Sequence, residues 1–244
     1  MATELASDSA LQVLPAELRP NVDHLVTEDD TPVDNVFSEK QQRLLTEPLY
    51  SSWVRCPEGG AFVAMTNVGL FFAIREPPFV PDMLLSLDVE VPADLWEKPH
   101  RSYFVWEYGK APDVVVEIVS GRDGGEDSEK LAGYARVGVR YYAIFDPEGW
   151  LGKEVLRAFK LDGLRYRRLD EPVWLPDVEL GLRIWQGPFE NHDNTWLRWV
   201  DADGQPIPTG SERAEEQQRR AEEQQRRADQ LVEQLRRLNV DPEA

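Results

Sequence analysis

The stretch from Ala111 to Pro147 constrains this 244-residue chain most strongly. It reads APDVVVEIVS, then GRDGGEDSEKLAGYARVG, then VRYYAIFDP. The first and last pieces are rich in β-branched and aromatic residues and are too continuously apolar for a surface strand. They therefore predict two central strands of a sheet. The middle piece predicts a helix that begins at Asp127 or Ser128 and ends at Gly138.

One residue breaks this pattern, because Glu117 places an ionisable carboxylate in the middle of an apolar strand. A buried charge costs free energy unless something pairs with it, so the misfit indicates a functional site. Asp113 is too far away to share a metal ion with it, since four residues along a strand span about 13 Å. Asp82, at the start of the apolar strand PDMLLSLDVEV, can approach from a neighbouring strand. Such a pair of carboxylates suits a shared Mg²⁺ that acts on a phosphate group.

A nearby ammonium group would complete a site of this kind. A lysine two residues after Glu117 would share its face of the strand, but that position is Val119. The next candidate is Lys130, on the predicted helix, where Tyr134 lies one turn further along the same face.

Each of these residues also has a plainer structural interpretation. Glu117 and Lys130 could form a structural salt bridge, Asp82 could be a turn residue after a proline, and Lys130 could simply be solvated. The nearby acids are interpreted structurally, Asp127 as a helix N-cap and Asp123 and Glu126 as solvated loop charges.

Composition limits the classes of function. The chain has 27 basic and 45 acidic residues, a formal charge of −18, which argues against a general nucleic-acid coat but allows a small basic or metal-bound site. The single cysteine, Cys56, excludes an internal disulfide and a cysteine-based zinc cluster. The three histidines, His24, His100 and His192, have no spacing typical of a metal site or a catalytic triad. Because no apolar run could span a bilayer and the N-terminus carries acids instead of bases, we expect a soluble, cytoplasmic protein.

Further elements follow from local patterns. A helix over SEKQQRLLTE is predicted to begin with Ser38 as N-cap and Gln41 as its capping-box partner, and to stop near Pro48. AFVAMTNVGLFFAI predicts a strand or a hairpin, and VLRAFKLDGLRYRRL predicts a hairpin with Asp162-Gly163 as its turn. The predicted organisation is an irregular N-terminal arm over 1–35, a domain over 36–200 and a charged helical tail over 211–240.

The tail contains the heptad RAEEQQR twice in succession. One heptad position collects Ala214, Ala221, Ala228 and Leu235, and another collects Gln217, Gln224, Leu231 and Leu238. The pattern predicts a helix of about 28 residues, either solvated and held by Glu/Arg pairs or joined to a partner as a coiled coil.

Several of these segments together resemble the Uma2 family, within the PD-(D/E)XK nuclease-like superfamily. The resemblance spans roughly 36–169 and rests on Pro81-Asp82, PDVVVEIVS at 112–120, D-x-x-K at 127–130, Tyr134, GVRYYAIFDP at 138–147, SEKQQRLLTEPLYSSW and NVGLFFA. It implies a mixed α/β fold with a restriction-endonuclease-like core, in which a mixed β-sheet is flanked by helices.

The resemblance also implies a site. Asp82 and Glu117 would be ligands of Mg²⁺ or Mn²⁺, and Lys130 would be the displaced lysine of the E-x-K element, whose usual place Val119 occupies. Glu39 could match the early helical glutamate of the superfamily, although Glu47, or no residue at all, would serve equally.

Two functions are therefore expected from different classes. The first is a metal-dependent endonuclease that hydrolyses DNA phosphodiester bonds. The second is a non-catalytic scaffold on a nuclease fold that self-associates or recruits partners through its C-terminal helix, an alternative that the acidic charge favours.

Overall fold

The computed structural model describes residues 14–23, 25, 35–55, 60–91, 93–122 and 124–237. Its helices of four residues or more are α1 (Val36–Ser51), α2 (Val105–Tyr108), α3 (Glu129–Val137) and α4 (Gly210–Arg237). Its strands are β1 (Phe62–Met65), β2 (Leu70–Phe71), β3 (Met83–Leu87), β4 (Tyr103–Phe104), β5 (Val114–Ile118), β6 (Tyr141–Phe145), β7 (Leu156–Asp162), β8 (Arg165–Arg168), β9 (Val173–Leu175), β10 (Leu180–Phe189) and β11 (His192–Val200).

A six-stranded mixed sheet forms the centre of the molecule, in the order β1-β3-β5-β6-β7-β8. Only the pair β5–β6 is parallel, and α3 is the crossover between these two strands. The predictions of β5 and β6 as central strands are confirmed, since both are buried along their whole length. The predicted apolar strand after Pro81-Asp82 is also confirmed, as β3.

The two faces of the sheet are covered by different helices. Leu45 and Leu49 of α1 pack on the face that carries Val114 and Val116, and Tyr134 of α3 packs on the other face. Because side chains alternate along a strand, Glu117 points toward α3. The fold is therefore a mixed sheet flanked by helices, as expected.

A second, three-stranded sheet in the order β11-β10-β9 packs beside α1. The side chain of Gln41 binds both the N–H and the carbonyl of Leu197 on β11, at 2.9 and 2.8 Å. Trp199 donates its indole N–H to the carbonyl of Leu45, at 2.7 Å. These contacts fix α1 between the two sheets.

Helix α4 is 28 residues long, which confirms the predicted helix, and most of its described side chains are exposed. Its first turn is tied to the domain, because Glu212 forms two contacts with Arg198, at 2.8 and 2.6 Å. The N–H of Gly210 also donates to Glu47, at 2.9 Å. Within the described ranges, every helix is too short or too polar to cross a lipid bilayer.

The predicted limits of α1 are wrong at both ends. Its N-cap is Asn35, whose side chain accepts the N–H of Ser38 at 3.0 Å, so Ser38 lies inside the helix. The helix also continues through Pro48 to Ser51. Pro48 has no N–H to donate to the carbonyl of Leu44, and it is buried together with Leu49 in the last turn.

Two turns need comment. Of the two alternatives for AFVAMTNVGLFFAI, a strand or a hairpin, the hairpin is wrong, because β1 pairs with β3 whereas β2 pairs in parallel with β4. The hairpin β7–β8 is confirmed, but Asp162 pairs with Arg165, so the turn residues are Gly163 and Leu164. Gly163 has a positive φ of 63°, a conformation that favours glycine at this position.

Part of the predicted N-terminal arm is described. A 3₁₀ turn spans Ala16–Leu18, Arg19 pairs with Glu107 at 2.7 Å, and Val22 is buried against Phe71 and Phe104. Residues 1–13, His24, 26–34, Cys56, Asp123 and Leu238 lie outside the described residues. The domain limits at 35 and 200 stay predictions.

Candidate active site

Glu117 lies near the end of the central strand β5, and only 1% of its surface is exposed. Its Oε2 atom accepts a hydrogen bond from Lys130 Nζ at 2.8 Å. Its Oε1 atom accepts one from the Tyr134 hydroxyl at 2.5 Å. The buried carboxylate is therefore held at both oxygens by α3.

Asp82 lies beside Glu117 on the neighbouring chain segment. Met83 pairs with Val116 in the β3–β5 ladder, so one further step of the same register brings Asp82 opposite Glu117. Asp82 accepts the N–H of Ile118 at 2.6 Å through Oδ2, which fixes it to β5. With 8% of its surface exposed, Asp82 is a buried partner of the site and not a surface turn residue.

Helix α3 places Lys130 beside Asp82 and Glu117. The helix begins after Ser128, as predicted, and ends at Gly138, whose φ of 92° reverses the chain toward β6. Tyr134 is fully buried against the sheet and thereby orients the face that also carries Lys130. The structure thus brings Asp82, Glu117 and Lys130 together, and their catalytic roles stay predictions.

Glu126 was interpreted from the sequence as a solvated loop charge, and this is wrong. Only 5% of its surface is exposed, and its Oε1 atom lies 3.4 Å from Lys130 Nζ. Its Oε2 atom is buried and has no hydrogen-bond partner within the described part of the chain. The loop curls inward because the Tyr142 hydroxyl donates to the Glu126 carbonyl, at 2.9 Å. The spacing of four residues between Glu126 and Lys130 was the signal available in the sequence.

The helix residue that reaches the site is Gln42 and not Glu39. Gln42 donates to Asp82 Oδ1 at 3.2 Å and exchanges hydrogen bonds with the Asn67 side chain. Glu39 instead pairs with Arg43, and 54% of its side chain is exposed. Glu47, the alternative, binds the start of α4. A glutamine on the buried side of a helix was the signal for Gln42, because such a polar group needs a partner.

Asp127 is not the N-cap of α3, a position that Ser128 occupies. Its carboxylate lies 3.3 Å from Arg157 Nη1 on β7.

The two described histidines lie elsewhere. His100 contacts the carbonyl of Asp94 at 2.5 Å, and His192 lies at the start of β11. Neither of these two histidines contacts the candidate site.

The electrostatics of the site are dominated by burial. Burial raises the pKa of Glu117 above its ordinary value, and the opposing effects of Lys130, Tyr134 and Asp82 only reduce this shift. Burial lowers the pKa of Lys130, but the charge and hydrogen bond of Glu117, together with the charges of Glu126 and Asp82, outweigh it and the net direction is upward. Lys130 is therefore positively charged at neutral pH.

The charge balance of the site suits a divalent cation. When Asp82, Glu117 and Glu126 are ionised, three negative charges face the single positive charge of Lys130, which leaves a formal −2. No group of three or more His, Cys, Asp or Glu side chains converges on one metal position among the described residues. The pair Asp82 and Glu117 nevertheless fits Mg²⁺, which keeps several waters and uses one or two carboxylates.

The fold is a mixed sheet flanked by helices, in which two buried carboxylates at the ends of central strands meet a lysine of the crossover helix, as in a restriction-endonuclease-like protein. The family model of Uma2, described as "Putative restriction endonuclease", matches residues 29–186, more than half of the chain. The chain therefore belongs to the Uma2 family, and the resemblance noted in the sequence is confirmed. A comparison with curated proteins found no match.

Proposed function

We propose that this protein is a metal-dependent endonuclease that hydrolyses DNA phosphodiester bonds, with Asp82 and Glu117 holding Mg²⁺ or Mn²⁺. The observation that carries the proposal is the Glu117 carboxylate, which is 1% exposed and receives Lys130 at 2.8 Å. Membership in a restriction-endonuclease-like family supports a nuclease-like activity. A buried carboxylate of this kind is costly for folding alone, so a function for it is the better explanation.

Each residue has a distinct part in this reaction. A bound divalent cation would polarise the phosphate and lower the pKa of a coordinated water. Lys130 places an ammonium group beside Glu117, where it can neutralise the charge that develops on the phosphate oxygens. Tyr134 and the Ile118 N–H keep the carboxylates of Glu117 and Asp82 in position. During hydrolysis a water oxygen bonds to phosphorus, the phosphorus–oxygen bond to the leaving group breaks, and the leaving oxygen gains a proton.

Plasmid nicking tests this proposal. Supercoiled DNA is incubated with Mg²⁺ and the wild-type protein, Glu117→Ala, Lys130→Ala or the control Lys160→Ala. Lys160 also forms an ion pair, with Asp177 at 2.9 Å, but lies outside the site. We expect nicking by the wild type and the control and a loss of about 100-fold or more in the two site variants. Equal cleavage by all four proteins contradicts the assignment.

Calorimetry with Mg²⁺ or Mn²⁺ tests the metal site separately. We expect one binding event that is absent from Asp82→Ala. The same heat of binding in wild type and variant would show that Asp82 is not a ligand.

One observation favours a second candidate, a scaffold that self-associates through α4. Most described side chains of this 28-residue helix are exposed, including Leu231, whose exposed fraction is 60%. Light scattering on the full chain and on a chain that ends before Gly210 tests this alternative. A mass per particle that is unchanged by the deletion rules out self-association through α4.

A further inference from the structure

Arg157 lies on the same face of the sheet as Glu117. In the pairing of β5, β6 and β7, Glu117 is opposite Ile144, and Ile144 is opposite Arg157. Residues that are opposite each other project to the same side, so Arg157 points toward α3 and the loop that precedes it. Two strand spacings place its Cα about 10 Å from that of Glu117.

Only part of the Arg157 guanidinium group has a hydrogen-bond partner among the described residues. Its Nη1 atom contacts Asp127 at 3.3 Å, and 13% of its side chain is exposed. Its Nε and Nη2 atoms are both buried, and neither has a hydrogen-bond partner in the part of the chain that the structure describes. Leaving buried donors unpaired costs free energy, and more so when they are charged. The group is therefore poorly satisfied in the free protein.

The two unpaired atoms define the ligand that would satisfy them. Nε and Nη2 form one edge of the planar guanidinium, with two parallel N–H donors that match two oxygens of a phosphate. A lysine could not offer this geometry. The Arg157 side chain reaches the surface, since 13% of it is exposed, but its Nε and Nη2 atoms are buried, so a phosphate contacts them only after the side chain shifts.

We propose that Arg157 binds a backbone phosphate of the nucleic acid through its Nε–Nη2 edge, next to the phosphate at the Asp82–Glu117 site, while Asp127 keeps its contact with Nη1. This inference rests on the nucleic-acid substrate of the proposed function. A phosphate on the Nε–Nη2 edge satisfies both unpaired donors and adds an attractive contact to a strongly acidic protein. The carboxylate of Asp127, on the other edge of the guanidinium, weakens this binding because its negative charge repels the phosphate.

Binding of a fluorescent duplex oligonucleotide tests the inference without cleavage. Affinity is measured by anisotropy at several salt concentrations, once with EDTA and once with Ca²⁺ in place of Mg²⁺. The variants are Arg157→Gln, Arg157→Lys and Asp127→Asn. Arg140→Gln is the matched control, because Arg140 also pairs with an aspartate, Asp177 at 3.1 Å, but lies before β6 at the far end from Ile118 and Phe145.

We expect Arg157→Gln to weaken binding about tenfold. It should also lower the slope of log K against log salt concentration by about 0.9, the loss of one phosphate contact. Arg157→Lys should keep the slope but still weaken binding, because the charge remains and the paired donors are lost. Asp127→Asn should bind more tightly than the wild type, since it removes a negative charge beside the phosphate, and the control should not change.

A purely structural Arg157 gives a different result. Arg157→Gln would then lower the melting temperature and leave affinity and salt slope unchanged, and Asp127→Asn would gain no affinity. That outcome overturns the inference, as does the absence of binding to the duplex by the wild type in both conditions. If the slope falls as expected but no DNA is cut in Mg²⁺, the inference about Arg157 stands and the proposed hydrolysis fails.

Discussion

Lys130 Nζ lies 2.8 Å from Glu117 Oε2, although the two residues belong to a helix and a strand and are 13 positions apart. The contact exists because α3 packs back on β5, where the Tyr134 hydroxyl takes the other oxygen of the same carboxylate. The orientation of Glu117 therefore depends on the position of α3 on the sheet.

Replacing Glu117 should separate stability from metal binding. Glu117→Gln keeps the shape, an acceptor oxygen for Lys130 and an N–H that can donate to the Tyr134 hydroxyl, but removes the buried charge. We expect it to abolish Mn²⁺ binding while the free energy of unfolding stays within about 1 kcal/mol of wild type or rises. Glu117→Ala leaves Lys130 without this partner and should cost about 3 kcal/mol. Calorimetry and urea unfolding measure the two effects, and Mn²⁺ affinity at the wild-type level in Glu117→Gln would contradict the prediction.

Stability without metal should depend on pH through Glu117. Burial raises its pKa above the ordinary value of 4.5, so the folded protein holds this proton more tightly than the unfolded chain. The resulting stabilisation is complete below pH 4.5 and is lost as the pH rises through the raised pKa. Urea unfolding at increasing pH in EDTA should therefore show wild type losing stability relative to Glu117→Gln. Parallel pH profiles of the two proteins would show that Glu117 does not titrate in this way.

Gly133 should be required for the site although it contacts none of its groups. A Cβ at Gly133 would lie 2.2 Å from Cζ of Phe79, whose ring packs on Tyr134 at 4.9 Å. Gly133→Ala should therefore displace α3, cost about 1–3 kcal/mol and lower kcat of nicking. The control is Gly121→Ala, where a Cβ meets nothing within 4 Å. Because alanine favours a helix over glycine, a gain in stability in Gly133→Ala would refute the predicted clash.

The attachment of α4 should weaken in acid. Burial raises the pKa of Glu212, but hydrogen bonds from Arg198 and from the Thr209 N–H outweigh it, and the net pKa lies below the ordinary 4.5. The contact therefore stabilises the fold above pH 4.5 and is lost as the pH falls through the lowered pKa. Hydrogen exchange at the start of α4 should be faster in Glu212→Gln than in wild type at neutral pH.

Glu216→Gln is the control for this experiment, since Glu216 pairs with Arg219 and Arg220 within the exposed helix. Exchange rates that are equal in the two variants would show that the contact with Arg198 does not hold the helix.

The central strands could be predicted from the sequence because their apolar runs leave no other location for them. The hairpin β7–β8 could be predicted because Asp162-Gly163 is a strong local turn signal. The proximity of Glu117 and Lys130 could be expected because a crossover helix between adjacent parallel strands must pack on the sheet. In each case the residues that determine the structure lie within one short segment of the sequence.

The remaining features depend on contacts between distant segments. The burial of Glu126 requires the Tyr142 hydroxyl, which reaches its carbonyl from β6. The role of Gln42 requires the position of α1 beside Asp82, 40 residues later. The start of α1 was missed because Asn35 and Ser38 are both good caps, and local sequence does not decide between them.

Helix α4 is fixed at its first turn, where Arg198 and Glu47 hold Glu212 and Gly210. At 1.5 Å per residue its 28 residues extend about 42 Å. A flexible linker would let an attached partner sample many distances, whereas a continuous helix sets one. If two chains join near Leu231, the length of this helix determines the distance between their two candidate sites.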